Sequence, residues 1–379
     1  MVDLDKYIND KRDIVIAGYC PSGKYLKNLI RHRNQNCLII FCDNAVVKQG
    51  RDEENIIMSF EKAVTVYRDA VFLIASPMSG RAMKKQLLDL GVESNNIVYE
   101  EIKELLLEMM NKYSEKRRLT PQKYLRMEIS LAEHCNLNCK YCSHFSSIAE
   151  KEFLDIHEYK KDMQRMSELL DGKSDKIYLL GGEPLLYADI IRCMEITREC
   201  FKQSRIILLT NGLLIPKMSS EFWETCRKRK IVVEVTRYPI RFNYEEVIDI
   251  LQDEQVEFEY MRDSDITCTF DKYPLDLDGK QDSYYSFTHC SMANQCHLLK
   301  KGKIYTCSVI GCIEHFNKKF GYTLAVTEND YVDIYKVKNG EELLEKLARP
   351  ADFCRYCNVK GRIPNLPFEI SKREIQEWI

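Results

Sequence analysis

The sequence predicts an α/β fold built from three consecutive parts, and three observations support it. Short apolar runs of strand length alternate with amphipathic stretches of helix length near the N-terminus. The same alternation resumes after a break near residue 119, and cysteines then concentrate in the last third of the chain. We therefore predict a small α/β domain at 1–118, a run of β/α units at 119–265, and a small cysteine-rich domain at 266–379.

Composition argues against several classes of function. The chain has 379 residues, with 56 Lys and Arg against 58 Asp and Glu, so nothing indicates a nucleic-acid or anionic-membrane partner. No apolar run approaches the roughly 18 residues of a membrane span, and the segment 1–6 lacks an apolar signal core. Sixteen cysteines without an export signal indicate reduced thiols and bound metal. We expect a cytoplasmic protein.

The first domain is predicted as a small parallel sheet with a glycine turn after its first strand. The turn 18–24 spells G-x4-G-K, half of a phosphate-binding loop, but Tyr25 stands where Ser or Thr would bind magnesium. The domain resembles the small Rossmann-like domains attached to sugar-modifying proteins. It is either a docking module or a nucleotide-binding module that would use Gly18, Gly23 and Asp43. The predicted strands are 13–18, 37–42, 70–76 and 96–99, with helices at 25–33 and 83–90.

The second domain follows a charged helical stretch, 100–116, that ends before Pro121. Strands alternating with helices predict a partial barrel, in which functional residues lie on the loops after the strands. The predicted strands are 125–131, 176–180, 205–210, 231–236 and 256–260, with helices at 189–201 and 244–251.

Three cysteines directly follow the first of these strands, at the spacing C-x3-C-x2-C. They are Cys135, Cys139 and Cys142, with the aromatic Tyr141 just before the third. A structural zinc site and an ordinary four-iron cluster each require four protein ligands. Three thiolates on one short loop therefore leave one metal corner open, where a small molecule can bind and react.

This motif resembles the cluster-binding loop of the radical SAM enzymes, and a second motif agrees with it. Gly181-Gly182-Glu183-Pro184 ends the next strand and resembles the segment that holds the methionine amino group in that family. Glycines let backbone carbonyls approach an ammonium group, and a carboxylate adds a charge-matched acceptor. The alternative is a redox or zinc C-x2-C with a chance pair of glycines.

The resemblance implies a [4Fe-4S] cluster on the three cysteines, with S-adenosyl-L-methionine on its open iron. It also implies a partial (β/α)6 barrel and hydrogen abstraction from a substrate by a 5′-deoxyadenosyl radical. Asn211, in a Thr-Asn-Gly turn, would contact the ribose, or it forms a plain turn. Arg237 would pair with the methionine carboxylate or with substrate, or it lies on the surface. The implied cofactor-binding residues are Tyr141, Gly181, Gly182, Glu183, Pro184, Asn211 and Arg237.

A second set of cysteines occupies the third domain. A hairpin at 300–305, turning at Gly302, would bring Cys290 near Cys307, and Cys354 and Cys357 would complete four thiolates. Four thiolates form a closed site for an iron–sulfur cluster or zinc. The pattern resembles the Twitch domain, a shortened SPASM domain, which implies one auxiliary [4Fe-4S] cluster. Cys296 is the alternative to Cys290 as the first ligand.

The resemblance narrows the reaction without fixing it. A radical SAM dehydrogenase of aminocyclitols combines the same two clusters, which implies oxidation of a small polar substrate: a sugar, a cyclitol or a nucleotide-linked molecule. Cys268, Cys296 and Cys312 are spare thiols that could return a hydrogen atom and give epimerisation, with Cys268 and Cys312 as our catalytic candidates. Free cysteines are more often small apolar core residues.

Two more functions are compatible with these motifs. The substrate could instead be a peptide or a protein, because many SPASM proteins modify peptides. The chain could also be a non-enzymatic scaffold that holds iron–sulfur clusters or zinc. For the enzyme, an electron donor such as flavodoxin or ferredoxin is implied.

Two further expectations concern structure rather than chemistry. His134 and His144 flank the first cysteine motif and are expected only to shape its loop. The segment 369–379 is predicted to form a capped amphipathic helix, with Ser371 as N-cap and Trp378 as packing anchor.

Overall fold

The computed structural model describes residues 5–8, 12–52, 54–76, 79–112, 114–260 and 269–379. The architecture is mixed α/β with parallel sheets, as the sequence predicts. Two compact units are present, Met1–Tyr113 and Ser114–Ile379, called the first and the second unit below. The predicted boundaries at 118 and 265 stay predictions. Among the described residues, no helix is both long and apolar enough to cross a lipid bilayer.

The first unit is built on a six-stranded sheet with the order β3-β4-β2-β1-β5-β6. Its strands are parallel except β3, which pairs antiparallel with β4. Strands β1, β2 and β5 are buried along their whole length, as expected for a parallel sheet covered on both faces. The elements are α1 Asp5–Ile8, β1 Ile14–Ala17, α2 Pro21–Arg33, β2 Ile39–Cys42, β3 Gly50–Asp52, β4 Asn55–Met58, α3 Phe60–Val66, β5 Val71–Ile74, α4 Gly80–Asp89, β6 Ile97–Val98 and α5 Glu100–Lys112.

The second unit is built on an eight-stranded sheet with the order β11-β10-β9-β8-β7-β13-β14-β15. Strands β7 to β11 are parallel and alternate with helices, and β12 pairs with β16 in a separate two-stranded sheet. The elements are α6 Ser114–Leu119, β7 Arg126–Ala132, α7 Ile156–Leu169, β8 Lys176–Gly181, α8 Ile190–Cys200, β9 Arg205–Thr210, α9 Ser220–Arg229, β10 Ile231–Val235, α10 Tyr244–Asp253, β11 Phe258–Tyr260, β12 Thr269–Lys272, α11 Ser283–His289, β13 His297–Lys300, β14 Lys303–Tyr305, α12 Ser308–Phe320, β15 Tyr331–Asp333, α13 Gly340–Leu347 and β16 Ile363–Pro367.

The described residues differ from a barrel of six consecutive β/α units. Within them the consecutive run contains five parallel strands, β7 to β11. The sixth strand parallel to these is β13, which joins the free edge of β7 through the pairing of His297 with Met127. The predicted hairpin is present, because β13 pairs antiparallel with β14 across a turn in which Lys301 and Gly302 both have positive φ.

Side chains alternate between the two faces of β7, as they do in any strand. Met127, Ile129 and Leu131 pack into the largest apolar core together with helix residues. Arg126, Glu128 and Ser130 occupy the alternate positions, so they share the opposite face, called the inner face below. A parallel sheet that is covered by helices on both faces is apolar on both faces. The inner face of this sheet instead carries charged side chains.

The predicted helix over 369–379 is wrong. This segment contains a single 3-10 turn at Ile375–Glu377, and its N-cap is Glu374 rather than Ser371. The backbone of 369–371 instead pairs with the loop that carries the first three cysteines, which leaves it unable to form helical hydrogen bonds. Trp378 is buried, as predicted for a packing anchor.

Candidate functional site

The loop after β7 brings Cys135, Cys139 and Cys142 together. Burial raises the pKa of the Cys139 thiol, and the nearby Cys142 and Cys135 thiols raise it further. Burial likewise raises the pKa of Cys135 to about 12. Tyr141 has a left-handed backbone with φ of 65°, which turns the chain back just before the third cysteine.

Each of the three sulfur atoms has a hydrogen-bonding neighbour that stabilises a thiolate. The Leu137 backbone N–H donates to Cys135 Sγ at 3.3 Å, and the Tyr238 hydroxyl donates to Cys139. Burial disfavours the Cys142 thiolate, but a hydrogen bond and charge from His144 bring the pKa of this thiol below its usual value. Because thiolates are the metal-binding form of cysteine, the donor set fits a metal or cluster.

The Gly-Gly-Glu-Pro segment packs against this cysteine loop. The Gly182 N–H donates to Ala132 O at 2.7 Å, and the Glu183 N–H donates to His134 O at 3.2 Å. A Cβ added at Gly182 would lie 2.1 Å from His134 O, and one at Gly181 would lie 2.3 Å from Ala132 O. The glycines are therefore required by the contact between the two loops. Their predicted approach to an ammonium group stays a prediction.

Glu183 ties three loops together. Its side chain is fully buried and accepts hydrogen bonds from Leu185 N (3.0 Å), Thr210 Oγ1 (2.7 Å) and Asn211 N (2.9 Å). Burial outweighs these bonds and raises the pKa of Glu183 to about 7. Asn211 Nδ2 in turn donates to Asn136 Oδ1 at 2.8 Å and faces Cys135 Sγ at 3.7 Å. The loops after β7, β8 and β9 thus meet at one point.

The other cofactor candidates lie around this point. Arg237 follows β10, pairs with Glu245 at 2.9 Å and lies over the Tyr244 ring at 5.6 Å. The Tyr141 side chain lines a small cavity of about 20 Å³ with Trp378. Pro184 begins a buried 3-10 turn. Their contacts with S-adenosylmethionine stay predictions.

A scan against protein families matches the Radical SAM superfamily over residues 129–253, which include the cysteine loop and the Gly-Gly-Glu-Pro segment. The chain contains a radical SAM domain. Sequence relatives agree: the chain is 32% identical over 121 residues to a GTP 3′,8-cyclase of Peptoclostridium acidaminophilum and 31% identical over 99 residues to that of Geobacter sulfurreducens. These matches cover 32% and 26% of the chain, and the chain spans only 37% and 29% of those curated relatives.

Solved structures of proteins bound to AdoMet (S-adenosylmethionine) are also similar to the chain, at low scores. One is BtrN in complex with AdoMet and 2-DOIA, with a TM-score of 0.41 and 20% identity over 63% of this chain and 94% of that one. Another is Streptococcus suis SuiB bound to S-adenosylmethionine, with a TM-score of 0.28 and 17% identity over 49% of this chain and 51% of that one. At these scores we draw no functional conclusion from them.

The segment 369–378 lies along the cysteine loop of the radical SAM domain. Lys140 N donates to Glu369 O at 3.0 Å, and Ser371 N donates to Asn138 O at 2.8 Å. The Trp378 indole N–H donates to Cys142 O at 3.1 Å. Sequence reasoning missed this contact because the partners are separated by more than 200 residues and no motif connects them.

The four thiols of the proposed auxiliary site also come together. Cys290 acts on the pKa of each of the other three, Cys307, Cys354 and Cys357, whose thiols burial holds far above the usual pKa. Met292 N donates to Cys290 Sγ at 3.3 Å, and Cys307 is the N-cap of α12. Cys296 instead donates to Glu128 on the inner face. Cys296 also acts on the pKa of Cys307, but it acts on neither Cys354 nor Cys357, so we favour Cys290 over Cys296 as the first ligand.

The spare thiols differ in their surroundings. Cys268 lies outside the described residues. Cys312 is almost completely buried in an apolar core, which fits a small core residue, and it lies close to Glu133 and Cys142. Its role as a catalytic hydrogen donor stays a prediction. Cys296 is only partly buried and faces the inner side of the sheet beside Glu128.

A buried ion network that the sequence did not reveal lies beside the cysteine loop. Glu133 accepts from His315 Nε2 at 2.6 Å and pairs with Lys300 at 2.9 Å, and Lys300 also pairs with Glu314 at 2.7 Å. Burial disfavours the Glu133 carboxylate, but His315 and Lys300 hold its pKa at about 2. Glu133, Glu314 and His315 have the side chains of a metal site. Because the Lys300 ammonium bridges the two carboxylates, we interpret the group as structural.

In the first unit, the glycine turn is held by its own chain. Asp43 accepts hydrogen bonds from Tyr19 N at 2.9 Å and Ala45 N at 2.8 Å. A Cβ at Gly23 would lie 2.3 Å from Gly18 O, so the second glycine is needed for the turn itself. These residues have a structural role in the described unit, and nucleotide binding there stays a prediction.

Proposed function

We propose that the chain is a radical SAM enzyme that oxidises or epimerises a small polar substrate, namely a sugar, a cyclitol or a nucleotide-linked molecule. The observation that carries the proposal is the meeting of three loops at Glu183. Its backbone N–H donates to His134 O in the cysteine loop, and its side chain accepts from Thr210 and Asn211 in the loop after β9. When bound, the [4Fe-4S] cluster and S-adenosylmethionine would supply the 5′-deoxyadenosyl radical that abstracts hydrogen from the substrate.

The residues of the chain would act as follows. Cys135, Cys139 and Cys142 would hold the cluster as thiolates, and their hydrogen-bonding neighbours would favour that charge state. Glu183 would accept the ammonium of S-adenosylmethionine, whose positive charge would compensate the burial of the carboxylate. Arg237 would pair with its carboxylate.

Ion pairs also lie on this sheet, near the start of its strands. The Arg126 guanidinium lies 4.4 Å over the Tyr178 ring and pairs with Glu128 at 3.3 Å. Arg205 pairs with Glu259 at 3.1 Å. Arg126 and Arg205 begin β7 and β9, so these ion pairs lie at the strand ends opposite the three loops, and we assign them to the packing of the sheet. GTP 3′,8-cyclase is the name of the sequence relatives, which keeps nucleotides among the candidates.

Oxidation of an alcohol requires more than hydrogen abstraction. After the hydrogen atom leaves carbon, the substrate radical must lose one electron to a one-electron acceptor and its hydroxyl proton to a base. We propose that Cys290, Cys307, Cys354 and Cys357 hold such an acceptor, an auxiliary [4Fe-4S] cluster. An external one-electron donor such as flavodoxin or ferredoxin would start each turnover.

Epimerisation would use the same abstraction with a different ending. A spare thiol, Cys268, Cys296 or Cys312, would give its S–H hydrogen atom to the opposite face of the substrate radical. The thiyl left behind would take up one electron from the external donor and one proton. Among the described spare thiols, Cys312 lies close to Cys142 and Glu133 of the cysteine loop, whereas Cys296 lies beside Glu128 near the start of β7.

The decisive measurement is iron and sulfide per chain after anaerobic reconstitution. We expect about eight irons in the native chain and about four when Cys135, Cys139 and Cys142 are all changed to Ala. Cys193→Ala is a matched control, because that thiol is fully buried in the apolar core. Native protein with reductant and S-adenosylmethionine should release 5′-deoxyadenosine. A fall from four irons to none would contradict the proposed auxiliary cluster. The absence of iron from both proteins would contradict the radical mechanism and favour a zinc or non-enzymatic scaffold.

A further inference from the structure

Arg118, on α6, is almost completely buried and has one nitrogen without a partner. Its Nε donates to Cys290 O at 2.7 Å and its Nη2 donates to Ser291 O at 2.9 Å. The side chain is 1% exposed, and Nη1 is buried without a hydrogen-bond partner in the described part of the chain. A buried charged N–H without an acceptor is strongly unfavourable, so an acceptor is expected at that position.

The guanidinium is held in place from several directions. Its two satisfied nitrogens fix the backbone of residues 290–291, which carries the first thiol of the auxiliary set. Asn294 Nδ2 donates to Arg118 O at 2.7 Å, and His297 Nε2 lies 3.1 Å from Asn294 Oδ1. Because a guanidinium is planar and rigid, fixing Nε and Nη2 also fixes the direction of Nη1.

The charges around Arg118 indicate what that acceptor is. Burial and the nearby Arg117 lower the pKa of Arg118 to about 10, and the groups that counteract them are Cys290, Cys296 and Tyr273. The potential anions around the guanidinium are thus thiols and a phenol. A buried cation facing thiols is expected where the sulfur atoms carry negative charge, as they do when they bind a metal cluster.

We propose that Arg118 Nη1 donates a hydrogen bond to a sulfur of an iron–sulfur cluster held by Cys290, Cys307, Cys354 and Cys357, and so favours its reduced state. The inference rests on the auxiliary cluster of the proposed function. A four-thiolate cluster is anionic and gains one further negative charge on reduction. Hydrogen bonds to the sulfurs and the net charge nearby set the reduction potential of such clusters, so a fixed buried cation raises it. Arg118 would thereby make this site a better acceptor of the substrate electron.

The test uses the full chain with Cys135, Cys139 and Cys142 changed to Ala, so that only the auxiliary cluster is observed. The iron content and the midpoint potential of this protein are compared with those of the same protein carrying Arg118→Gln. We expect the variant to retain iron, while the ratio of reduced to oxidised cluster at a fixed potential falls at least tenfold. This corresponds to a midpoint about 59 mV lower for a one-electron couple.

Arg198→Gln is the matched control. The Arg198 guanidinium is half-buried and also donates to backbone carbonyls, those of Arg229 at 2.7 Å and Ser204 at 2.8 Å. Its described contacts involve neither cysteine set, so we expect its midpoint to equal that of the parent.

The outcomes separate the two proposals. If the parent protein binds no iron, both the auxiliary cluster and the role of Arg118 are contradicted. A parent with iron and an unchanged midpoint in Arg118→Gln overturns the role of Arg118 alone. If Arg118→Gln does not fold, Arg118→Lys decides the question. Its ammonium lacks the planar fork that reaches both the backbone and the cluster, so a lower midpoint supports the role and an unchanged one overturns it.

Discussion

Glu183 should make the stability of the second unit depend on pH. Burial raises its pKa from the usual 4.5 to about 7, and the side chain is fully buried. The folded state therefore holds the proton more tightly than the unfolded state. The stabilisation is fully present below pH 4.5 and is lost as the pH rises through 7. At about 1.4 kcal/mol for each tenfold change in protonation, the loss is roughly 3 kcal/mol.

Urea unfolding of the metal-free protein, followed by tryptophan fluorescence, measures this effect. The chain has two tryptophans, Trp223 and Trp378, and both lie in the second unit. Glu183→Gln removes the ionisation and keeps the shape of the side chain. We expect the free energy of unfolding of the native protein, relative to this variant, to fall by roughly 3 kcal/mol between about pH 5 and pH 8. The contributions of the other titrating groups to the unfolding free energy are the same in both proteins, so they cancel in the difference.

A control and a contrary result define the test. Glu199→Gln changes a half-exposed carboxylate, and we expect it to follow the native protein at every pH. A difference between native protein and Glu183→Gln that stays constant over the same pH range would refute the assignment of the raised pKa to Glu183. A bound ammonium should also favour the carboxylate, so S-adenosylmethionine should bind the reconstituted protein more tightly at about pH 8 than at about pH 6.

Three further predictions concern the cysteine loop. Gly182→Ala should destabilise the second unit more than Gly321→Ala, as measured by the urea midpoints of the two variants. A Cβ at Gly182 would lie 2.1 Å from a backbone oxygen. A Cβ at Gly321 would have no neighbour within 4 Å, so the only cost there is the backbone strain of a φ of 71°. Trp378→Phe removes the indole donor to Cys142 O, a cost of about 1 kcal/mol, and should speed iron loss to a chelator. Glu133→Gln should lower the unfolding free energy at about pH 7 by roughly 1–3 kcal/mol, and this difference should shrink as the pH approaches 2, where the native carboxylate also becomes protonated.

Much of the fold could be predicted because its signals are local. The apolar runs at 125–131, 176–180 and 205–210 coincide closely with β7, β8 and β9. The two thiol sets were predicted from cysteine spacing, from the expected hairpin at Gly302 and from the family resemblance. Strand β13 on the edge of β7 could not be predicted, because parallel pairing depends on backbone groups that every residue offers. No element was predicted in 50–66. Strand β3 is short and polar, so it carries no apolar signal.

The candidate site shows the same limit. Cys135, Cys139 and Cys142 were predicted from spacing, but the donors to their sulfurs could not be. Tyr238 is not connected to the loop by any motif, and His144, expected only to shape the loop, also hydrogen-bonds Cys142. The segment 369–379 has the periodicity of a helix. Its backbone hydrogen bonds go to the cysteine loop instead, and tertiary pairing overrides local propensity.

The pairing of β13 with β7 has a consequence for electron transfer. Strand β7 leads directly into the loop of Cys135, and β13 lies between Cys290 and Cys307. Both thiol sets are therefore attached to neighbouring strands of one hydrogen-bonded ladder, and no hinge separates these two strands. An electron passing between the two sites would cross a constant span, so its rate should respond to driving force and remain insensitive to solvent viscosity.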